Sequence, residues 1–166
     1  MRALFTTIDE IKKNSVLSGN IDPDKIIQFA WIAQDIQIQD YLGTALYERL
    51  QAGVIAGNLN VNEQSLLDNY ISPMLIHLAT AEYLPFGAYT VANSGIYKHG
   101  SEQSESVDKV EVDFLVQKAR NIADYYIKRF IDYMCYNAAL FPQYNQNIND
   151  DLTPLKDVNK GTGWVL

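Results

Sequence analysis

The sequence predicts a mainly α-helical fold: a bundle of about four to five helices, a loop or β-hairpin insertion, and an extended C-terminal tail. Apolar residues recur at three- and four-residue spacing over most of residues 1–137, and helix start and stop signals punctuate that pattern. Strand-like residues cluster only in a Gly-containing stretch between 86 and 106. With 166 residues, 48% of them hydrophobic and 20% charged, the chain is long enough to bury one core without a disulfide or a metal.

Thr7 precedes Ile8-Asp9-Glu10-Ile11, so its hydroxyl is placed to cap a helix, with Glu10 completing a capping box. That helix is expected to stop near Gly19. Asp22-Pro23 is a second start signal, a capping carboxylate before a residue preset for the first helical position. Ile26, Phe29, Ala30, Ala33 and either Ile36 or Gln37 then fall on one face. Gly43 reads as a helix end, and Thr44 restarts a helix through Ala45, Leu46, Leu50 and Ala52 until Gly53 and Gly57 break it.

Asn58 to Asn62 reads as a polar loop. From Glu63 to about Tyr83, the residues Leu66, Leu67, Tyr70, Ile71, Met74, Leu75, Leu78 and Ala81 keep helical spacing, and Pro73 is expected to kink the helix. Around the turn pair Ser94-Gly95, Tyr89, Thr90, Val91, Ile96 and Tyr97 are strand formers, giving either a hairpin or an extended loop. Ser101 to Ser106 is polar. Val107, Val110, Phe114, Ala119, Ile122, Ala123, Tyr126, Ile127, Phe130, Ile131 and Met134 then mark the longest and most regular helix.

After Asn137 the helical rhythm ends, yet Leu140, Phe141, Tyr144, Ile148, Leu152, Leu155, Val158, Trp164, Val165 and Leu166 remain. Unpartnered linkers are poor in such residues because they cannot offset the entropy of ordering. This tail is expected to lie along a surface, its own or a neighbour's. Fully extended, at about 3.3 Å per residue, it would reach on the order of 90 Å. The organisation read from the chain is a helical domain over residues 1–137 with an insertion at 86–106, then an assembly tail over 138–166.

Signatures of catalysis are sparse. His77 and His99 stand in no metal-binding spacing; His77 reads as a packed imidazole and His99 as solvent-exposed. Cys135 is the single cysteine, so no internal disulfide forms, and it reads as a buried inert thiol in a reducing compartment. A dyad with His77 stays open at the level of sequence. Asp9 with Glu10 and Asp22 with Asp24 flank helix starts, where negative charge is favourable, and Asp150 with Asp151 sits in the irregular tail. Nucleotide-binding glycine loops and the serine-hydrolase elbow are absent, and Gly161-Thr162-Gly163 is too short for a phosphate cradle. No catalytic, cofactor-binding or metal-ligating residue is assigned.

The formal charge of -7 argues against a nucleic-acid clamp. No apolar run approaches the roughly 20 residues of a membrane span, and the N-terminus carries no signal-peptide pattern. Eleven tyrosines are the compositional anomaly; their large apolar body and polar tip suit surfaces that are wet before assembly and buried after it. Tyr70 and Tyr126 read as core, whereas Tyr125 and Tyr133 fall off the main apolar stripe and read as contacts for a second surface.

Asp40-Tyr-Leu-Gly-Thr-Ala-Leu-Tyr-Glu-Arg-Leu, Tyr70-Ile-Ser-Pro-Met-Leu, the insertion Val91-Ala-Asn-Ser-Gly-Ile, and Tyr133-Met-Cys-Tyr-Asn followed by Phe141-Pro-Gln-Tyr resemble the head-to-tail connector proteins of tailed bacteriophages. The version found in crAss-like phages is the most similar, from about Phe5 to Tyr144. The resemblance implies a non-enzymatic virion protein whose helical body forms a ring, commonly of twelve copies, docked below the portal. Other neck or tail proteins are its further partners, and genome DNA passes through without sequence-specific binding. An acidic wall suits that conduit because it repels phosphates.

On this reading the partner-binding residues are Tyr89, Val91, Ile96 and Tyr97 in the insertion, Tyr125 and Tyr133 on the last helix, and Phe141, Tyr144, Leu152, Leu155, Trp164, Val165 and Leu166 in the tail. The rival expectation is a small cytoplasmic helical binding or regulatory domain that dimerises through its last helix.

Overall fold

A computed structural model describes residues 2–17, 21–87, 89–92, 95–98, 109–146 and 151–158, of which 89–92 and 95–98 by their backbone. The fold is mainly α. Helix α1 spans Ile8–Asn14, α2 Pro23–Ala33, α3 Gln39–Leu42, α4 Thr44–Ala56, α5 Val61–Leu66, α6 Ser72–Gly87 and α7 Lys109–Asn137. Wider π-helical turns at Gln34–Ile38 and Leu67–Ile71 join α2 to α3 and α5 to α6, so the described residues form five helical rods. Strands β1, Tyr89–Ala92, and β2, Gly95–Lys98, pair antiparallel with Tyr89 opposite Lys98 and Ala92 opposite Gly95. The insertion is thus a hairpin, and Gly95 is a strand residue.

The caps follow the sequence signals. Thr7 and Glu10 form the reciprocal capping box, and Asp22 accepts from the Asp24 N–H with Pro23 in the first turn. Helix α1 nevertheless ends at Asn14, short of the expected Gly19. The Ser15 hydroxyl accepts from the Leu17 N–H at 3.1 Å, a local turn that competes with helical bonding. Helix α4 runs through Gly53 and ends at Gly57, whose left-handed φ of 63° suits the C-terminal position. Gly53 serves packing, since a Cβ there would collide with Leu59.

The expected loop Asn58–Asn62 is shorter than the spacing suggested. Asn60 caps α5, which already begins at Val61. Glu63 is buried; it accepts from the Asn60 N–H at 2.9 Å and from Arg49 Nη2 at 2.8 Å.

Both π turns shift the helical register. On α2, Ile26, Phe29, Ala30 and Ala33 are buried as expected, but beyond the extra residue the inward positions are Gln34 and Ile38, leaving Ile36 60% exposed. On the second rod the irregularity precedes Pro73, whose missing N–H would have bonded the Asn69 carbonyl. Arg129 Nη1 donates to that carbonyl instead, at 3.3 Å. The helix continues past Tyr83 and through Pro85 to Gly87, where losing one hydrogen bond in the final turn is tolerated.

Helix α6 is apolar on nearly every side and lies at the centre, packing on both α2 and α7. His77 stacks on Tyr126 of α7, with ring centroids 5.5 Å apart. Phe86, nine residues on and so about half a turn round the helix, meets Phe29 of α2 at 5.3 Å. Helices α2 and α7 therefore flank α6 on opposite sides.

The tail begins by turning back on the body. Two 3-10 turns, Ala138–Leu140 and Pro142–Asn145, bring Phe141 and Tyr144 into the common core at 1% and 3% exposure. Residues 151–158 then cross the corner between α3 and α4. The Thr44 N–H donates to the Leu152 carbonyl at 3.0 Å, and the Leu155 N–H donates to the Asp40 carbonyl at 2.9 Å. These bonds satisfy groups left over at two helix ends. Gly43, with φ 71° and ψ 155°, lets Pro154 sit against its backbone; a Cβ would lie 2.7 Å from the proline Cδ.

Candidate functional site

Two kinds of surface merit a functional reading: a polar cleft between the N-terminal segment and the returning residues from 151 on, and the exposed apolar side chains of the two flanking helices. The cleft is open, holds about 530 Å³, and is lined by Arg2, Asp35, Gln39, Thr44, Tyr47, Glu48, Gln51 and Asp151. Most of its polar groups bind one another. Arg2 pairs with Asp35 and lies over the Trp31 ring. Tyr47 donates to Asp35 at 2.8 Å, and Thr44 donates to Asp151 at 2.9 Å. The amides of Gln34 and Gln51 clamp the N-terminal segment: Gln34 accepts from the Phe5 N–H at 2.7 Å, and both glutamines donate to the Ala3 carbonyl. The cleft thus works as a fastening for residues 3–5 and the tail. Burial, reinforced by the Asp35 carboxylate, pushes the Tyr47 phenol up, which keeps it a donor at neutral pH.

His77 is half-buried against Tyr126, and burial lowers its proton affinity. Cys135 is exposed, which corrects the expectation of a buried thiol: the inward face of α7 is taken by Ile127, Phe130, Ile131 and Met134. The dyad left open by sequence does not form. Tyr126, the partner of His77, lies nine residues from Cys135, about 13 Å along the helix. No cluster of three or more His, Cys, Asp or Glu that could hold a metal occurs among the described residues. Burial raises the pKa of Asp40 and Asp124, and burial with the nearby charges of Asp124, Asp40 and Asp157 pushes Tyr41 up to about 12.

Helix α7 carries the larger apolar surface. Its first ten residues contribute nothing to the core; Ala119 is the first buried position. Val110 is 71% exposed, Phe114 68%, Tyr125 65% and Tyr136 90%. Successive members are about one or three turns apart, so they form one outward stripe about 39 Å long. Val110 and Phe114, which the sequence pattern assigned to the regular apolar run, thus face away from the core. A helical wheel centred on Ala123, Ile127 and Phe130 separates them, and that signal was present in the sequence. On the other flank, α2 and its π turn expose Ile27 on one side and Ile32 and Ile36 on another, so they form no common face.

The expected partner-binding residues divide accordingly. Tyr125 is outward. Tyr133 stacks on Tyr70 at 4.2 Å and is partly covered. Phe141 and Tyr144 are corrections: they pack on Tyr133 and Phe130, closing the chain's own core rather than facing a partner. Leu155 packs partly on that core, and Leu152 is 39% exposed. Tyr89, Val91, Ile96 and Tyr97 lie in the paired strands. Trp164, Val165 and Leu166, with His99, Val107, Ile148, Asp150, Gly161-Thr162-Gly163 and the 101–106 stretch, fall outside the described residues.

A family model described as a family of unknown function, DUF6712, matches residues 38–152, more than half of the chain. The chain belongs to the DUF6712 family. The DUF6712 match takes in α3 to α7, the hairpin and the start of the returning tail, and so includes the α7 stripe; α1 and α2 precede it. Neither a curated protein nor a solved structure matches this DUF6712 chain. No helix among its described residues is long and apolar enough to cross a membrane.

Proposed function

We propose that this protein is a structural, non-enzymatic assembly subunit: a ring-forming head-to-tail connector that docks under the portal of a tailed phage. In this reading it joins portal to tail and guides the DNA channel, and its location is the neck of the virion. The observation that carries it is the outward stripe of Val110, Phe114, Tyr125 and Tyr136 on the longest helix. Large amphipathic aromatics at high exposure are what an interface core needs before it is covered. The resemblance at Asp40–Leu50, Tyr70–Leu75 and Phe141–Tyr144 supplies the connector context, and the net charge of -7 suits a wall past which DNA slides.

The same stripe serves the rival reading, a helical binding domain that dimerises through α7. Cryo-electron microscopy of the protein mixed with its candidate portal separates the two. A closed ring on the portal is the expected result. Failure to bind the portal, together with a stable dimer in solution, overturns the connector reading in favour of the rival.

A further inference from the structure

We infer that, before the portal is met, the α7 stripe is covered by the same stripe of a second copy: two chains pair α7 against α7, antiparallel, with a two-fold axis at Tyr125. This deepens the assembly reading above and rests on its claim that the stripe is an assembly surface. It names what masks that surface until a ring forms.

Spacing selects this occupant. Tyr125 stands midway between Phe114 and Tyr136, eleven residues from each, and all three are exposed. Eleven residues make three turns, about 16 Å, to within about 20° of rotation, so the three rings share one line. Turned end for end, that line falls on itself. A second α7 laid antiparallel sets Tyr125 on Tyr125 and each Phe114 on the other copy's Tyr136, and it brings Val110 level with the exposed Leu140 just past the helix end. Residue i meets j while j meets i, which is the condition for a two-fold contact. Offset or edge-on ring pairs add to the area they bury. Leu115, the remaining exposed apolar residue of α7, lies about 80° round from Tyr125 and outside this line.

The charges fit the same register. Lys118 stands seven residues before Tyr125 and Asp132 seven after, so each Lys118 falls opposite the other copy's Asp132. Asp132 already accepts from Lys128 of its own helix at 2.7 Å, with both side chains exposed. A carboxylate accepts from several donors, so Lys118 joins that pair without displacing it. No two like charges of α7 fall opposite one another in this register, whereas a parallel pair sets Lys118, Lys128 and Asp132 each against itself.

The stripe lies on the side of α7 away from Ala123, Ile127 and Phe130, so a second helix can follow its full length. A strip about 39 Å long and about 10 Å wide covers on the order of 400 Å² on each copy. The total of roughly 800 Å² is half the ~1,600 Å² of a standard stable interface. Such a pair forms at high concentration and opens again, as a mask that yields to a ring must.

Sedimentation over a concentration series should show a reversible dimer that Phe114→Ser removes. Tyr125→Cys with Cys135→Ser puts the only thiol on the axis, and a short bismaleimide should link it to its copy. The unmodified chain should not link, because its two Cys135 thiols lie about 30 Å apart along the paired helices. Lys118→Asp should weaken pairing about tenfold, and adding Asp132→Lys in the same chain should recover it. Candidate portal should suppress the link at position 125. A chain that stays monomeric at the highest concentration overturns the inference, as does a dimer linked through Cys135 or one indifferent to Phe114→Ser; ring formation on the portal leaves the connector reading standing in each case. A link that persists in a portal-bound ring overturns the masking role. The expected dimer without portal binding leaves the pairing in place and overturns the connector reading.

Discussion

Phe141→Ala separates a tail that merely leaves the body from one that completes it. Phe141 is 1% exposed, its ring 6.3 Å from Tyr133, and the neighbouring Tyr144 lies 6.3 Å from Phe130. Truncating a fully buried phenylalanine removes its transfer free energy and leaves a cavity that close-packed neighbours only partly fill, together about 3–5 kcal/mol. In a chain of this size each kcal/mol lowers Tm by roughly 2–4 °C, so a drop of about 6–20 °C is expected. Urea denaturation followed by far-UV circular dichroism should show the midpoint falling by about 2 M at unchanged slope. Phe141→Leu should restore most of the loss. Tyr136→Ala, at a position 90% exposed, should stay within about 0.5 kcal/mol. A Phe141→Ala loss below ~1 kcal/mol would refute the core assignment and return this residue to the set that waits for a partner.

Gly43→Ala should destabilise by on the order of 1–3 kcal/mol, because φ 71° with ψ 155° is a region that side chains avoid and the added Cβ would press on Pro154. Its specific signature is faster tryptic cleavage after Lys156, as the crossing segment lifts; an unchanged cleavage rate would count against the role assigned to that corner. The pH response of His77 has a defined sign. Burial lowers its folded pKa below the ordinary value of 6.5, so the unfolded chain takes up the proton first and stability falls as pH drops below about 6.5. Asp40 and Asp124, raised by burial, contribute with opposite sign at lower pH. The denaturation midpoint of His77→Gln, compared with the unmodified chain across pH 5 to 7, should lack that decline; identical slopes would exclude it.

The caps at Thr7 and Asp22 and the stop at Gly57 arise from side chains or backbone freedom within a few residues of the helix end, so the sequence alone determined that those ends form, whereas the cap at Asn60 was read as loop. The strand formers between Tyr89 and Tyr97 left a hairpin or an extended loop open, and the strand pairing decided for the hairpin and placed Gly95 inside a strand. Apolar spacing also identified α6 and α7, because helical geometry fixes which residues share a face.

Spacing alone did not establish which face is covered, since that depends on a partner element distant in the chain. A helical wheel already sets Val110 and Phe114 apart from Ala123, Ile127 and Phe130, but only the fold shows that the core ends at Ala119, so that the first ten residues of α7 have no partner element. Ile36 is outside because a π turn, stabilised by the packing of Gln34 and Ile38, adds a residue to the register. The apolar tail residues showed that Phe141 and Tyr144 would be buried. Only the tertiary structure decided that the chain's own α7 buries them, because burial rewards apolar area without specifying which surface supplies it.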